Sequence, residues 1–437
     1  MRILFASYAE KTHFLGMVPL AWALQTAGHE VRVASQPELT DVITGAGLTA
    51  VPVGRNHNLH LVLRQSTALS RNLAAPGTGV STDEDADFDF AENRPEVLTF
   101  EYVRDGYRHA VPWWFRLVNR SMVEELTGYC RQWRPDLVIW EPVTFAGPIA
   151  ATAIGVPHAR LMWSVDLFAR MRGHLHRLNA GQAAADREDL LADWLSEQVG
   201  RHGGQFSEVM TTGHFTIDTT PDSLRHDPHL NLDLDLHYLP MRHIPYNGPS
   251  TIPTWLRTPP TKPRIAITLG VSSTERLDGY AISVQEILDH LHDLDLDIIA
   301  TLPPTQADQL RIPTNTHVVP FAPLNALAPT CNAVIHHGGN GTYQTTLTSG
   351  VPQLTFPRFF DGAIRADHVE RQGAGITITN DAATGPRIRQ AVQRLLGEPA
   401  FAHNAARLAA EMHALPTPND LVPQIEELTA KYGSGAT

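Results

Sequence analysis

Two stretches of this 437-residue chain carry side chains able to move a proton or hold an anion. The first is Lys11-Thr12-His13 near the N-terminus. A neutral imidazole can take the proton of a hydroxyl because its unperturbed pKa lies near neutrality. The same histidine would serve equally as a helix cap. A base of this kind is commonly oriented by a carboxylate. Glu141, directly after the apolar run Leu137 to Trp140, is one candidate; a strand-end surface acid is the alternative. The second stretch runs from Val334 to Pro357 and reads as a buried strand, a histidine pair, a glycine-rich turn and a helix that stops at Gly350. Glycines let backbone approach a ligand closely. A helix N-terminus offers unpaired N–H groups and a positive dipole end. Together they suit phosphate, here a diphosphate that need not belong to a dinucleotide. His337 stands at the mouth of the turn, while His336 continues the strand into the core.

The elements that must position these groups alternate. Arg2 to Ser7 is strand-like, Phe14 to Ala27 is helical, Val31 to Ala34 is a strand, Pro37 to Thr44 a helix and Leu48 to Val53 a strand. Asp136 to Trp140 and His158 to Trp163 continue the series. This βαβαβ order implies α/β architecture, a parallel sheet with helices on both faces. The proline-dense stretch from Met241 to Pro263 reads as an extended linker. A second series follows at Arg264 to Leu269, Asp297 to Thr301, His317 to Val319, Ala333 to Ile335 and Gln353 to Phe356. The expected organisation is a domain over 1–240, a linker over 241–263, a second domain over 264–415 and a terminal helix over 416–437 packing back on the first domain. Ligands of open α/β sheets bind at strand carboxyl ends, and two such halves on one linker would enclose a cleft.

Composition narrows the function. The net charge of −12 argues against a nucleic-acid partner. The apolar fraction of 43% is that of a soluble globular chain, and no apolar run approaches the ~18 residues of a membrane span. The first residues lack the pattern of a signal peptide. Cys130 and Cys331 read as reduced core residues, which fits a cytoplasmic protein. The 22 histidines show no metal-binding spacing.

The N-terminal THFLGMVPLAWALQTAGHEVRVASQPELTDVITGAGLTAVPVG, the run RPDLVIWEPVTFAGPIAA, the linker IPYNGPSTIPTWL and the segment VPFAPLNALAPTCNAVIHHGGNGT carry a resemblance that covers essentially the whole chain. It resembles family 1 glycosyltransferases of the GT-B fold, in which two Rossmann-like parallel-sheet domains face across a cleft. The subgroup it is most similar to attaches deoxysugars, often aminodeoxysugars, to macrolide or aromatic polyketide aglycones in antibiotic biosynthesis. The resemblance implies inverting, metal-independent transfer from a TDP-deoxysugar, with the acceptor in the N-terminal domain and the donor in the C-terminal one. It also implies a frequent need for an auxiliary protein related to cytochrome P450.

The resemblance carries over residue by residue. It places the catalytic base at His13, with Glu141 as its candidate carboxylate. His337, Gly338, Gly339, Gly341 and Thr342 match the diphosphate motif, and the loop holding Gly270, Ser272 and Ser273 also meets the phosphates and the sugar. Phe321 falls where relatives often place a tryptophan that stacks on the base, and the backbone of Ala322 would read the base edge; a core position for Phe321 is the alternative. Asp361 matches a sugar-binding aspartate, but Gly362 replaces the glutamine usual beside it. Fewer hydroxyls on a deoxysugar are compatible with that loss.

Other features stay open. The triplets Asp85-Ala86-Asp87, Asp87-Phe88-Asp89, Asp233-Leu234-Asp235 and Asp293-Leu294-Asp295 could hold a divalent ion but lie away from the phosphate turn. Trp113, Trp114 and Phe115 suit an apolar acceptor pocket, a core or a partner surface. Residues 54–110 read as a polar insertion, a place for auxiliary-protein or aglycone contacts, or a solvated loop. A nucleotide-sugar epimerase and a non-catalytic sugar-nucleotide-binding partner are the rival readings. An oxidoreductase is disfavoured because the first βα turn lacks GxGxxG.

Overall fold

In a computed structural model, residues 1–59, 88–225, 234–270, 282–357 and 360–433 are described. Ser272, Ser273, residues 83–87 and Asp233 lie outside them. The chain forms two compact units, one of Met1–Thr219, His226–Met241 and Pro416–Thr437, the other of Thr220–Arg225 and Arg242–Leu415.

The first unit is a seven-stranded parallel sheet. Its strands are β1 (Arg2–Ala6), β2 (Glu30–Ser35), β3 (Thr49–Pro52), β4 (Leu137–Trp140), β5 (His158–Leu161), β6 (Phe215–Asp218) and β7 (Tyr238–Pro240), in the order β3-β2-β1-β4-β5-β6-β7. Ile3, Leu4, Phe5 and Ala6 are completely buried, as a strand covered on both faces must be. The second unit is a six-stranded parallel sheet of β8 (Arg264–Thr268), β9 (Asp297–Thr301), β10 (Thr316–Val319), β11 (Ala333–His336), β12 (Gln353–Thr355) and β13 (Gly375–Thr377), in the order β10-β9-β8-β11-β12-β13. Successive residues of β8 serve opposite cores. Ile265 and Ile267 pack with Leu288 and Val392, whereas Ala266 packs with Leu256, Val334 and Val351.

Both sheets reverse their winding between the first strand and its neighbour on the other side, β1 beside β4 and β8 beside β11. At such a reversal the crossovers part and leave a crevice at the strand carboxyl ends. His13 and Glu141 follow β1 and β4; Gly270 and His337 follow β8 and β11.

Four local expectations differ from the structure. The helix expected over Phe14 to Ala27 is two helices, Lys11–Leu15 and Val18–Thr26, because Pro19 opens the second one. The stretch 54–110 ends in a regular helix, Phe100–Ala110, capped by Thr99 and packed through Phe100, Val103 and Tyr107. The proline-rich linker contains one 3₁₀ turn, Thr254–Arg257, and Arg242 onward belongs to the second unit. Thr220–Arg225 also belongs to the second unit, since Leu224 is buried among Tyr343, Leu347 and Leu408.

The terminal helix Val422–Gly433 belongs to the first unit. Its Glu426 reaches His29 at 3.0 Å, and Tyr432 lies 4.9 Å from the His214 ring. Ile425 on this helix is fully buried. Ile425→Ala should therefore destabilise the first unit by about 2–5 kcal/mol, measured as a lower urea midpoint; an unchanged midpoint would mean the helix is not part of that core.

Candidate active site

In the first unit a fully buried carboxylate gathers donors from three directions. Glu141 has no solvent exposure. Its Oε2 lies 3.1 Å from His13 Nδ1 and accepts from Trp163 Nε1–H at 2.8 Å. The Val143 amide donates to the same oxygen at 3.3 Å, and the Thr144 hydroxyl donates to Oε1. The Tyr8 amide donates to Thr144 Oγ1 at 2.7 Å, so β1 and β4 share the network. Burying a carboxylate is costly unless such donors replace its water. The arrangement favours a proton on His13 Nδ1 and leaves the lone pair of Nε2 to act as a base.

The imidazole is held by more than one bond. Trp163 stacks on it at 3.9 Å and 24°, and the Tyr8 ring meets it edge-on at 5.2 Å. His13 itself sits on the short helix Lys11–Leu15, whose N-terminus Glu10 caps by accepting from the Thr12 amide and hydroxyl. Beyond Trp163 the aromatic run continues through Phe168, 6.1 Å away, to Trp114 and Phe90. The Trp113-Trp114-Phe115 cluster divides accordingly. Phe115 is core, Trp114 is half-buried in this run, and Trp113 is 57% exposed. All three lie on one π-helical turn, Val111–Arg116, a geometry often found at functional sites. Phe88 and Phe90 pack inward, Phe88 filling the space left by Gly106 and Phe90 being 5% exposed.

In the second unit, Gly338 holds a positive φ of 83° between β11 and the helix Asn340–Thr348. Its amide donates to Nδ1 of the buried His336, whose Nε2 lies 2.7 Å from Gln353 Oε1. His336 thus shapes the turn from inside. The His337 ring lies against Gly270 and Gly339, where an added Cβ would come within 2.3 and 2.6 Å of it. Only glycines admit the ring at both places. The N-cap residue of the helix Asn340–Thr348 is Gly339, which has no side chain to cap it, so the amides of its first turn, including Gly341 and Thr342, keep their capacity for an anion.

Ala322 is buried, but Phe321 is 43% exposed, which removes the core alternative. Asp361 is 2% exposed and its Oδ2 pairs with Arg365 Nη1 at 2.7 Å, so it is an engaged carboxylate. Asp293 pairs with Arg389 and Asp295 with Lys262, which accounts for that triplet by surface ion pairs. Among the described residues no group of three or more His, Cys, Asp or Glu side chains has the arrangement of a metal site, and no helix is long and apolar enough to cross a membrane. Cys130 and Cys331 are free thiols, each pushed up to about 12 by burial.

The model for "Erythromycin biosynthesis protein CIII-like, N-terminal domain" matches residues 22–270, and its C-terminal counterpart matches residues 285–428. The chain belongs to this glycosyltransferase family. The enzyme is 42% identical over 435 residues to the aclacinomycin-T 2-deoxy-L-fucose transferase of Streptomyces galilaeus, covering 99% of this chain and 97% of that one. It is 42% identical over 434 residues to the 10-deoxymethynolide desosaminyltransferase of Streptomyces venezuelae, covering 99% and 98%. Its fold matches the solved glycosyltransferase VinC in complex with dTDP at a TM-score of 0.86, with 36% identity over 99% of this chain and 100% of that one. The two Rossmann-like parallel sheets of this glycosyltransferase are therefore those of the GT-B fold.

Three groups of this glycosyltransferase's sites are not apparent from motif spacing. Trp163 was legible only as a strand end, and Thr144 as a loop residue. Arg365 is visible in the sequence only as the i+4 neighbour of Asp361, a spacing that brings helical side chains together.

Burial lowers the pKa of His336 from 6.5 to about 3 and that of His243, 3.4 Å from Thr345 Oγ1, to about 4. Unfolded histidines take up protons near pH 6.5; these two do so in the folded state only near pH 3 to 4. The unfolded state binds more protons within that window, so stability must fall as pH drops below about 6.5. The thermal midpoint of the second unit should decline from pH 7 to 4.5, and His336→Asn, which keeps an acceptor but cannot be protonated, should flatten the decline. Equal slopes in both proteins would contradict a neutral His336 beneath the turn.

Proposed function

We propose that this glycosyltransferase moves a deoxysugar, in the aminodeoxysugar class, from TDP to a hydroxyl of a macrolide or aromatic polyketide aglycone in cytoplasmic antibiotic biosynthesis. The observation that carries the chemistry is the His13–Glu141 contact, with Nδ1 committed to the carboxylate and Nε2 on the other side of the ring. His13 Nε2 takes the acceptor proton. The acceptor oxygen forms its bond at the anomeric carbon as the bond from that carbon to the diphosphate oxygen breaks, with inversion, and TDP leaves with the electron pair. Glu141 stabilises the imidazolium; Trp163 holds ring and carboxylate in register.

The leaving diphosphate falls to His337 and the helix-terminal amides near Gly339, Gly341 and Thr342. Preorganised donors of this kind stabilise developing charge effectively. The Gly270 loop, with Ser272 and Ser273 in the sequence beyond it, completes the donor set; Phe321 stacks on thymine, Ala322 reads its edge, and Asp361 faces the sugar. The relatives named as 2-deoxy-L-fucose and desosamine transferases, and the dTDP complex of VinC, support this donor class. The half-buried aromatic run from Trp163 to Trp114 suits a flat, apolar aglycone.

The test is TDP release from a panel of TDP-deoxysugars, with and without macrolide and anthracycline aglycones, with EDTA present and with a P450-like auxiliary protein as a separate arm. We expect release that requires an aglycone and survives EDTA. His13→Ala should lower kcat by roughly 10²–10⁴-fold while leaving TDP affinity within about twofold. Donor consumption without an acceptor would favour the epimerase reading, and a fully active His13→Ala enzyme would show that His13 is not the base.

A further inference from the structure

The side chain behind the glycine turn is a buried guanidinium. Arg365 is 5% exposed and lies on the helix Gly362–Arg371. Its Nη2 donates to the Gly338 carbonyl at 2.6 Å, its Nη1 reaches Asn340 Oδ1 at 3.1 Å and Asp361 Oδ2 at 2.7 Å, and its Cζ stands 5.4 Å from the Tyr343 ring centre. One planar fork therefore spans the turn, the first residue of the following helix and the loop that ends at Asp361. Lysine, a single point of charge, cannot reproduce that geometry.

The consequence lies in the peptide planes. His336 fixes the Gly338 amide from one side, and Arg365 fixes the Gly338 carbonyl. In a trans peptide the C=O and the following N–H point in opposite directions. Holding the Gly338 carbonyl on the guanidinium thus turns the Gly339 amide away from it. At φ 83° Gly338 has easy alternatives, because glycine populates both signs of φ. Without an external anchor the turn would spread over several conformations, and a ligand would have to order it on binding. The next loop shows the same need for an anchor. Phe360, just before Asp361, is a bulky residue at a positive φ of 52°, a conformation that persists only where its surroundings enforce it.

We propose that Arg365 is a positioning residue for the donor: it sets the diphosphate turn and Asp361 in fixed register without itself touching the nucleotide sugar. This rests on the donor reading given above. Arg365 then contributes through preorganisation, so its loss should appear in donor affinity and donor KM before it appears in kcat.

The test compares wild type, Arg365→Lys and Arg365→Ala by calorimetry with TDP, by donor kinetics and by thermal unfolding, with His337→Ala as a reference for the donor site. The expected result is a tenfold or greater rise in both TDP Kd and donor KM for Arg365→Lys, with kcat changed less than threefold. Arg365→Ala should lose affinity further and regain part of it in millimolar guanidinium, but not in sodium chloride of equal ionic strength. If Arg365→Ala does not fold, Arg365→Lys alone decides. A wild type that binds TDP, with Arg365→Lys binding it equally well, overturns the proposal while leaving the donor reading intact. A wild type that does not bind TDP overturns both, and the two failures are thereby distinguished.

Discussion

In a parallel sheet every connection must cross a face to begin the next strand, and where the winding reverses two neighbouring crossovers leave on opposite faces. That reversal is the constraint on which this glycosyltransferase is built. Each sheet has one, between β1 and β4 and between β8 and β11. The chain beyond those four strand ends carries His13, Glu141, Gly270 and His337. The hydrogen-bonded register, Ala6 beside Trp140 and Thr268 beside His336, makes each pair of loops neighbours before any side-chain contact forms.

What is placed there differs in electrostatic character. The first crevice holds a buried negative charge, and its environment is organised to keep that charge satisfied: an indole N–H, a hydroxyl, an amide and an imidazole converge on Glu141. The second holds a buried positive charge, Arg365, offset by Asp361 and tied to backbone oxygen at Gly338. Removing Arg365 or Asp361 would leave the other charge uncompensated in the interior, which costs far more than the pair contributes, and each donor lost from Glu141 leaves part of a buried carboxylate unsatisfied. The contacts that make each burial possible also hold each set in place, which is what the proposed base and the proposed diphosphate turn require.

Much of this was legible in the sequence, and the rest was hidden for identifiable reasons. Strands such as Asp297–Thr301 stood out because they are short apolar runs between turn residues. The edge strands Tyr238–Pro240 and Gly375–Thr377 are three residues long and only partly buried, too brief for a periodic signal. The helix Phe100–Ala110 was obscured by its charged outer face, although its inner face presents Phe100, Val103 and Tyr107. The glycine turn and His13 were visible as types at characteristic places, whereas Trp163 and Arg365 act through partners many residues away or through backbone atoms, which no spacing rule records. The exposure of Phe321 likewise depended on tertiary packing.

The donor proposal stands or falls on whether the glycine turn of the second unit holds a thymidine diphosphate. Equilibrium binding of TDP, UDP and NAD to the purified chain, without added metal, tests it most directly. TDP should bind clearly tighter than UDP, with no measurable NAD binding. Failure to bind either TDP or UDP, or a preference for NAD, would contradict it.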